Sequence, residues 1–321
     1  MVQAASTFNI FIVLTNVASP CYRKKISLQV ALDMLSTVTR ILSRHSLGLP
    51  SLHLRRCLTT SGDPLTICTQ ENGIRRITLN NPKTRNALSL ALMESFKENL
   101  MKDVKDHDLR VIVISGNGPV FCAGHDLKEL LSKKTRSDHA HIFRMCSDIM
   151  ELIQDIPVPV ICEVGALATA AGCQLVASCD VAIASDQAKF CTPGVNIGLF
   201  CSTPAVALAR SVPRKLALEM LFAGEIISAD RALAHGLVSR VVKHEDLQNE
   251  VTKMAETIIR SSRSVLALGK STFYRQVVKD RHSAYQDASN IMVENLSLHD
   301  GREGISAFLE KRKAEWDHSL D

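Results

Sequence analysis

The feature that most constrains this chain is a set of short segments that are apolar at consecutive rather than alternating positions. Residues 111–115 read Val-Ile-Val-Ile-Ser, and residues 181–184 read Val-Ala-Ile-Ala. A third such segment enters at Pro157-Val158-Pro159 and runs to Val164. A strand that is apolar on both faces needs cover on both faces. Helical patterns separate these segments, so the reading is an α/β domain with a largely parallel sheet.

The flanking patterns agree. Residues 65–69 and 74–79 are short strand patterns, joined by Glu71-Asn72-Gly73, where Asn-Gly accepts the positive φ of a tight hairpin. Ser89 is placed to cap a helix running to about Val104, with Leu92, Phe96 and Leu100 on one face. Residues 138–154 are expected to be helical, and residues 170–178 form a helix of small residues. Beyond residue 200 the pattern is nearly all helix: 204–210, 214–222, 229–234, 245–259, 265–278, 284–298 and 301–313. The helices from about residue 263 either pack on the core or exchange between protomers.

Charge separates the N-terminus from the rest. The 321 residues carry a net charge of +5, yet residues 1–60 hold seven Lys/Arg against one acid, leaving the remainder at −1. A near-neutral body and 4% aromatics argue against a nucleic-acid-binding face. Residues 34–60 contain four Arg and no acid, with many Ser, Thr and Leu. That is the composition of a mitochondrial transit peptide, with cleavage expected near Thr59. The expected division is residues 1–58 as extension and transit peptide, with Met34 as the usual start, and residues 59–321 as the folded domain in the matrix. No apolar run reaches the length of a membrane span. Ten Cys show no CxxC pair, so buried thiols are expected rather than a metal site or a disulfide framework.

Two turns carry the chemical signal. Phe121-Cys122-Ala123-Gly124-His125-Asp126-Leu127-Lys128 follows one buried strand, and Ala168-Thr169-Ala170-Ala171-Gly172-Cys173-Gln174 opens the small-residue helix. Small residues let backbone approach a ligand, and helix openings aim free N–H groups outward. Two such turns can converge on one oxygen as an oxyanion hole. Tight packing is the commoner use of such turns.

These stretches resemble the crotonase, or enoyl-CoA hydratase/isomerase, superfamily. So do Asn81-Pro82 with Arg85-Asn86-Ala87-Leu88, the segment from Ser228-Ala229 to Gly236-Leu237-Val238, and the segment from Glu303-Gly304 to Lys313. The resemblance covers roughly residues 65–316. It implies a crotonase-like spiral of ββα units with a helical C-terminal trimerisation region, assembled as trimers or hexamers. It implies an acyl-CoA ligand, with the CoA thioester as substrate or ligand and no further cofactor or metal. It assigns the thioester oxygen to the backbone N–H groups of His125 and Gly172. It assigns CoA contacts to Ala123, Asp126, Lys128, Phe308 and Lys311.

The resemblance also exposes a loss. Family hydratases use two Glu to hold and activate one water. Their positions here are Gln174 and Gly194, the latter after Phe190-Cys191-Thr192-Pro193. Gln takes no proton near pH 7, and Gly has no side chain. General acid–base groups contribute about 10²–10⁴-fold each, so efficient hydration is not expected. Gly165-Ala166 is a further departure, since many members carry Asn-Gly there.

The expected function is therefore a mitochondrial acyl-CoA-binding protein of fatty-acid metabolism. Two alternatives stand beside it: an acyl-CoA decarboxylase or other enolate-forming lyase, and a non-catalytic acyl-CoA-binding pseudoenzyme. Gly124-His125-Asp126 resembles the turn of a family member that decarboxylates methylmalonyl-CoA, although Phe200 and Cys201 offer no counterpart of its Tyr. Asp126 equally suits a helix cap, and Cys122, Cys191 and Cys201 suit buried packing. Thr192, Asn196 and Ser202 suit either turn chemistry or contact with a polar acyl group.

Overall fold

The computed structural model describes residues 63–319. The expectations for residues 1–58, and for cleavage near Thr59, lie outside the described residues. Among the described residues, no helix is long and apolar enough to cross a membrane.

Strands β1 (Thr66–Glu71) and β2 (Ile74–Leu79) form an antiparallel hairpin. Asn72 and Gly73 at its tip have φ of 51° and 81°, as a two-residue primed turn requires. Helix α1 (Leu90–Met101) starts where expected, with the Ser89 side chain accepting the Leu92 N–H. It ends before Val104 because Lys102 leaves helical φ/ψ and Asp103 takes a positive φ. Then follow β3 (Val111–Gly116), β4 (Val120–Cys122), α2 (Leu127–Ser132) and α3 (Arg136–Asp155). Next come β5 (Val160–Val164), β6 (Leu167–Thr169), α4 (Ala171–Ser178), β7 (Val181–Ser185) and β8 (Lys189–Cys191).

The remaining elements are mostly helical. They are α5 (Ser202–Ser211), α6 (Arg214–Ala223), β9 (Ile227–Ser228), α7 (Ala229–Ala234), β10 (Arg240–Val242), α8 (Leu247–Ile259), α9 (Arg263–Gln276), α10 (Arg281–Ser297) and α11 (His299–Glu310).

The strands form two sheets where the patterns alone predict one. The larger has the order β1-β2-β3-β5-β7-β10 and is parallel from β2 onward. The smaller has the order β4-β6-β8-β9. Successive strand pairs β3–β4, β5–β6 and β7–β8 each step from the first sheet to the second. This is the ββα spiral that the resemblance implies.

Both faces of the larger sheet are covered, which explains the consecutive apolar positions. On one face, Val111, Val113, Ile161 and Ile183 pack against Leu247, Val251 and Ala255 of α8. On the other, Ile112, Ile114, Val160 and Cys162 join a core with Leu92 and Phe96 of α1 and Ile149 and Ile153 of α3. The smaller sheet lies at the ends of the larger sheet's parallel strands and carries both glycine turns.

Candidate functional site

The first turn is fixed by a buried amide. Asn86 has a positive φ, and its Oδ1 accepts the Asn81 N–H at 2.8 Å. Its Nδ2 lies 2.9–3.1 Å from the carbonyl oxygens of Asn117, Val120 and Phe121. Asn86 thus ties the segment before α1 to the β4 strand that delivers the turn. Ala123 N–H donates to Arg85 O at 3.0 Å, and Leu88 N–H donates to Gly124 O at 2.8 Å.

Glycine then brings the two turns together. Gly124 has φ of 81°, and a Cβ there would lie 2.8 Å from Ala170 Cβ and 3.1 Å from Ala171 N. A Cβ on Gly172 would lie 2.3 Å from Cys122 O. Neither position admits a side chain, so the α4 opening presses directly on the first turn. Ala170 holds φ of 52° with ψ of −118°, which is unusual for a residue with a Cβ, and its N–H donates to Cys191 O at 2.9 Å. Among the described residues, no acceptor takes the backbone N–H groups of His125, one residue beyond Gly124, or of Gly172, two beyond Ala170.

His125, Gln174 and Thr192, on or beside the two turns, are uncharged. The His125 ring lies edge-on to Phe143 at 5.0 Å, and both its nitrogens are enclosed with no hydrogen-bond partner. Burial lowers its pKa; the nearby Leu88 carbonyl opposes this without reaching hydrogen-bond geometry. His125 is therefore a neutral imidazole at pH 7. Gln174 is buried with Oε1 unmatched, and Thr192 is fully buried with Oγ1 unmatched.

Gly194 is a filled position rather than an open slot. A Cβ there would lie 2.6 Å from Leu199 O and 2.8 Å from Cys201 Sγ. The loop to Cys201 occupies the space that a side chain at Gly194 would need.

The other predicted residues fall as follows. Asp126 Oδ1 accepts the N–H groups of Lys128 and Glu129 at 2.9 and 3.1 Å, so its carboxylate caps α2. Glu129 Oε2 accepts the Leu90 N–H at 3.0 Å, at the opening of α1. Lys128 is exposed on α2, beside the first turn. Phe308 is exposed near the end of α11, and Lys311 ends that helix in the left-handed conformation. Among the described residues, no hydrogen bond or ion pair of the single chain joins Phe308 or Lys311 to the two turns. Ser202 Oγ donates to Phe200 O, which is turn chemistry.

The thiols are poor nucleophiles. Burial pushes Cys122 up to about 12 and raises Cys191 and Cys201. Among the described residues, no group of three or more His, Cys, Asp or Glu is placed to hold a metal ion.

A strand-to-turn unit repeated across two sheets, with two glycine turns meeting at unpaired N–H groups, defines a crotonase-type protein. The chain belongs to the enoyl-CoA hydratase/isomerase family, whose model matches residues 69–319. It is similar to enoyl-CoA hydratase domain-containing protein 3, mitochondrial, of Xenopus laevis: 57% identical over 256 residues, 80% of this chain and 87% of that protein. The crystal structure of the human enoyl-CoA hydratase domain-containing protein 3 is 57% identical. It matches with a TM-score of 0.77 over 78% of this chain and all of that one. An enoyl-CoA hydratase structure from Mycobacterium smegmatis is 46% identical, with a TM-score of 0.77 over 79% of this chain and 99% of that one.

Proposed function

We propose that the protein is a mitochondrial acyl-CoA-binding member of this family, acting in fatty-acid metabolism, that holds a thioester oxygen but does not hydrate enoyl-CoA. The observation that carries this reading is the contact between the two turns. It sets the backbone N–H groups of His125 and Gly172, which have no acceptor among the described residues, close after a shared packing point. Paired donors of this kind stabilise negative charge on a thioester oxygen, each worth about 10²–10³ in rate when chemistry follows.

The absent hydration follows from proton chemistry. Adding water across a double bond needs a group that takes a proton from water and one that delivers a proton to carbon. Gln174 does neither, and Gly194 has no room for a carboxylate. The His125 imidazole is neutral and enclosed, the Asp126 carboxylate is taken up in capping α2, and the Cys122 and Cys173 thiols are raised by burial.

Loss of CO₂ from a malonyl-type thioester needs no proton abstraction from carbon, so it is the competing chemistry. It gains little support from the site. The buried charged residues, Arg75, Arg263 and Asp300, make their hydrogen bonds elsewhere in the fold, and none would hold a second carboxylate. A role as a binding protein without turnover fits the same geometry.

Relatives named as mitochondrial and the acid-poor basic segment 34–60 support the location. Exposed Met292, Val293, Phe308 and Leu309 on α10 and α11 support assembly into trimers or hexamers, with Phe308 and Lys311 closing over a CoA group in that assembly.

The test is mass spectrometry of an acyl-CoA panel incubated in D₂O with the full chain. Saturable thioester binding with no added water is the expected result. Hydration of crotonyl-CoA at an enzymatic rate would overturn the reading. Released CO₂ would replace it with the lyase.

A further inference from the structure

After α11 the chain turns back and returns along the helix. Lys311 ends α11 in the left-handed conformation, and Arg312 then pairs with both carboxylate oxygens of Glu303, at 2.6 and 2.8 Å. Glu315 N–H donates to Glu303 Oε1 at 2.8 Å, and a Cβ on Gly304 would lie 3.1 Å from the Trp316 ring. Trp316 Nε1 donates to Arg260 O at 2.8 Å, and the N–H groups of Asp317 and His318 donate to Asp300. Residues 312–318 are thus a strap, and the His318 ring carries it across to the segment that enters β3.

Both ring nitrogens of His318 face donors. Nε2 lies 2.6 Å from Nη1 of Arg110, the residue before β3, and Nδ1 faces the Arg263 backbone N–H at 3.4 Å. Arg110 is itself held, with Nη2 donating to the carbonyls of Ile259 and Ser261 at 2.9 and 2.5 Å. A guanidinium keeps its protons, so Arg110 can only donate. The contact therefore needs the lone pair of a neutral imidazole. An imidazolium has no lone pair, and its Nε2–H would meet the guanidinium with two positive charges at hydrogen-bond distance.

The surroundings give a charged ring somewhere to go. His318 lines a cavity of about 580 Å³ together with Glu71 at the end of β1, His107 and Asp108 before β3, and Asp317. Burial opposes a proton on the docked ring, as do the charges of Arg110 and Arg263, while Asp300 and Asp317 favour one. His299 sits on Asp300, with Nδ1 3.3 Å from Oδ1. The balance holds the docked ring below the ordinary 6.5. Asp300 and Glu303 are both held at about 2, so the bonds they accept do not titrate near neutrality.

We propose that His318 is a pH-operated latch: neutral, it pins the strap to Arg110, and a proton on its ring releases residues 316–319 and opens that wall of the cavity. A released ring regains its ordinary affinity for protons. The latch is therefore at full strength above pH 6.5 and weakens as pH falls below it. It does not depend on the acyl-thioester reading.

Trp316, the chain's one tryptophan, lies in the strap and reports on it. The experiment follows its fluorescence and its quenching by acrylamide in the full chain from pH 8 to 5, with far-UV circular dichroism alongside. A reversible red shift with increased quenching is expected, at a midpoint below 6.5 and with the helical signal unchanged. His318→Gln should remove the transition, because its amide oxygen accepts from Arg110 at every pH in the range. His318→Ala should give the quenched, red-shifted state already at pH 8. His299→Gln and His107→Gln should both keep the transition. An emission that stays constant, a shift that coincides with loss of helix, or a transition that survives in His318→Gln overturns the proposal.

Discussion

Gly124 and Ala170 are in direct apposition: a Cβ on Gly124 would lie 2.8 Å from the Ala170 Cβ. Gly124 belongs to the first turn and Ala170 to the second, 46 positions apart in the chain. The spacing of the His125 and Gly172 N–H groups depends on this contact. Gly124→Ala adds a methyl where there is no room, at a φ of 81° that already disfavours a side chain. It should cost about 1–3 kcal/mol in denaturant unfolding and weaken acyl-CoA binding in the folded fraction. Unchanged binding would separate ligand affinity from the spacing of the turns.

Restoring the carboxylates should not restore hydration. Gly194→Glu drives a Cβ to 2.6 Å from Leu199 O, and that backbone must move to admit it. Gln174→Glu buries a carboxyl where the Gln174 Oε1 finds no hydrogen-bond partner, which raises its pKa and destabilises the fold. The double variant is expected to unfold at a lower temperature than the parent and to leave crotonyl-CoA unhydrated. A hydrating double variant would show that the loop from Gly194 to Cys201 yields readily.

His125 sets a pH dependence with a definite sign. Its folded pKa is lowered below the ordinary 6.5 by burial, so the unfolded chain binds more protons near and below that pH. Stability therefore rises with pH through this window, and it falls as acid drives a proton onto the buried ring. His318 is lowered too, by burial and by the charge of Arg110, and contributes with the same sign. Unfolding followed from pH 8 to 5.5 should show a shallower slope in His125→Gln than in the parent. Equal slopes would mean that His125 titrates alike in both states.

The Asp300 carboxylate is one of the groups that tie down the C-terminal segment. Asp300 accepts hydrogen bonds from Ser262 Oγ at 2.6 Å, Asp317 N at 2.8 Å and His318 N at 3.0 Å. Burial opposes its ionisation, but these donors outweigh it and hold the pKa at about 2. That stabilisation is present above the ordinary 3.8 and is lost as pH falls toward 2. Asp300→Asn should cost about 1–3 kcal/mol and speed amide exchange at Asp317 and His318. Parent-like exchange there would contradict the assignment.

Much of this was legible in the residues, and the reasons for the remainder are physical. Ser89, Asn72-Gly73 and the apolar run at residues 111–115 act through local geometry, so each marked its element. Strands β6 and β8 are three residues long and β9 is two, too short to show a period, and the smaller sheet went unread with them. Helix α2 is only six residues long, so Asp126, its cap, is the one local sign of it. Gln174 and Gly194 drew notice only through the family resemblance. That Gly194 is packed shut depends on Leu199 and Cys201, and that Thr192 lacks a partner depends on everything around it. Contacts of that kind are set by the fold and leave no local trace.

The most direct test is a structure of the full chain with a non-hydrolysable acyl-CoA analogue bound. The account predicts its carbonyl oxygen about 2.7–3.1 Å from both His125 N and Gly172 N. An analogue bound with its carbonyl away from these two groups would contradict it.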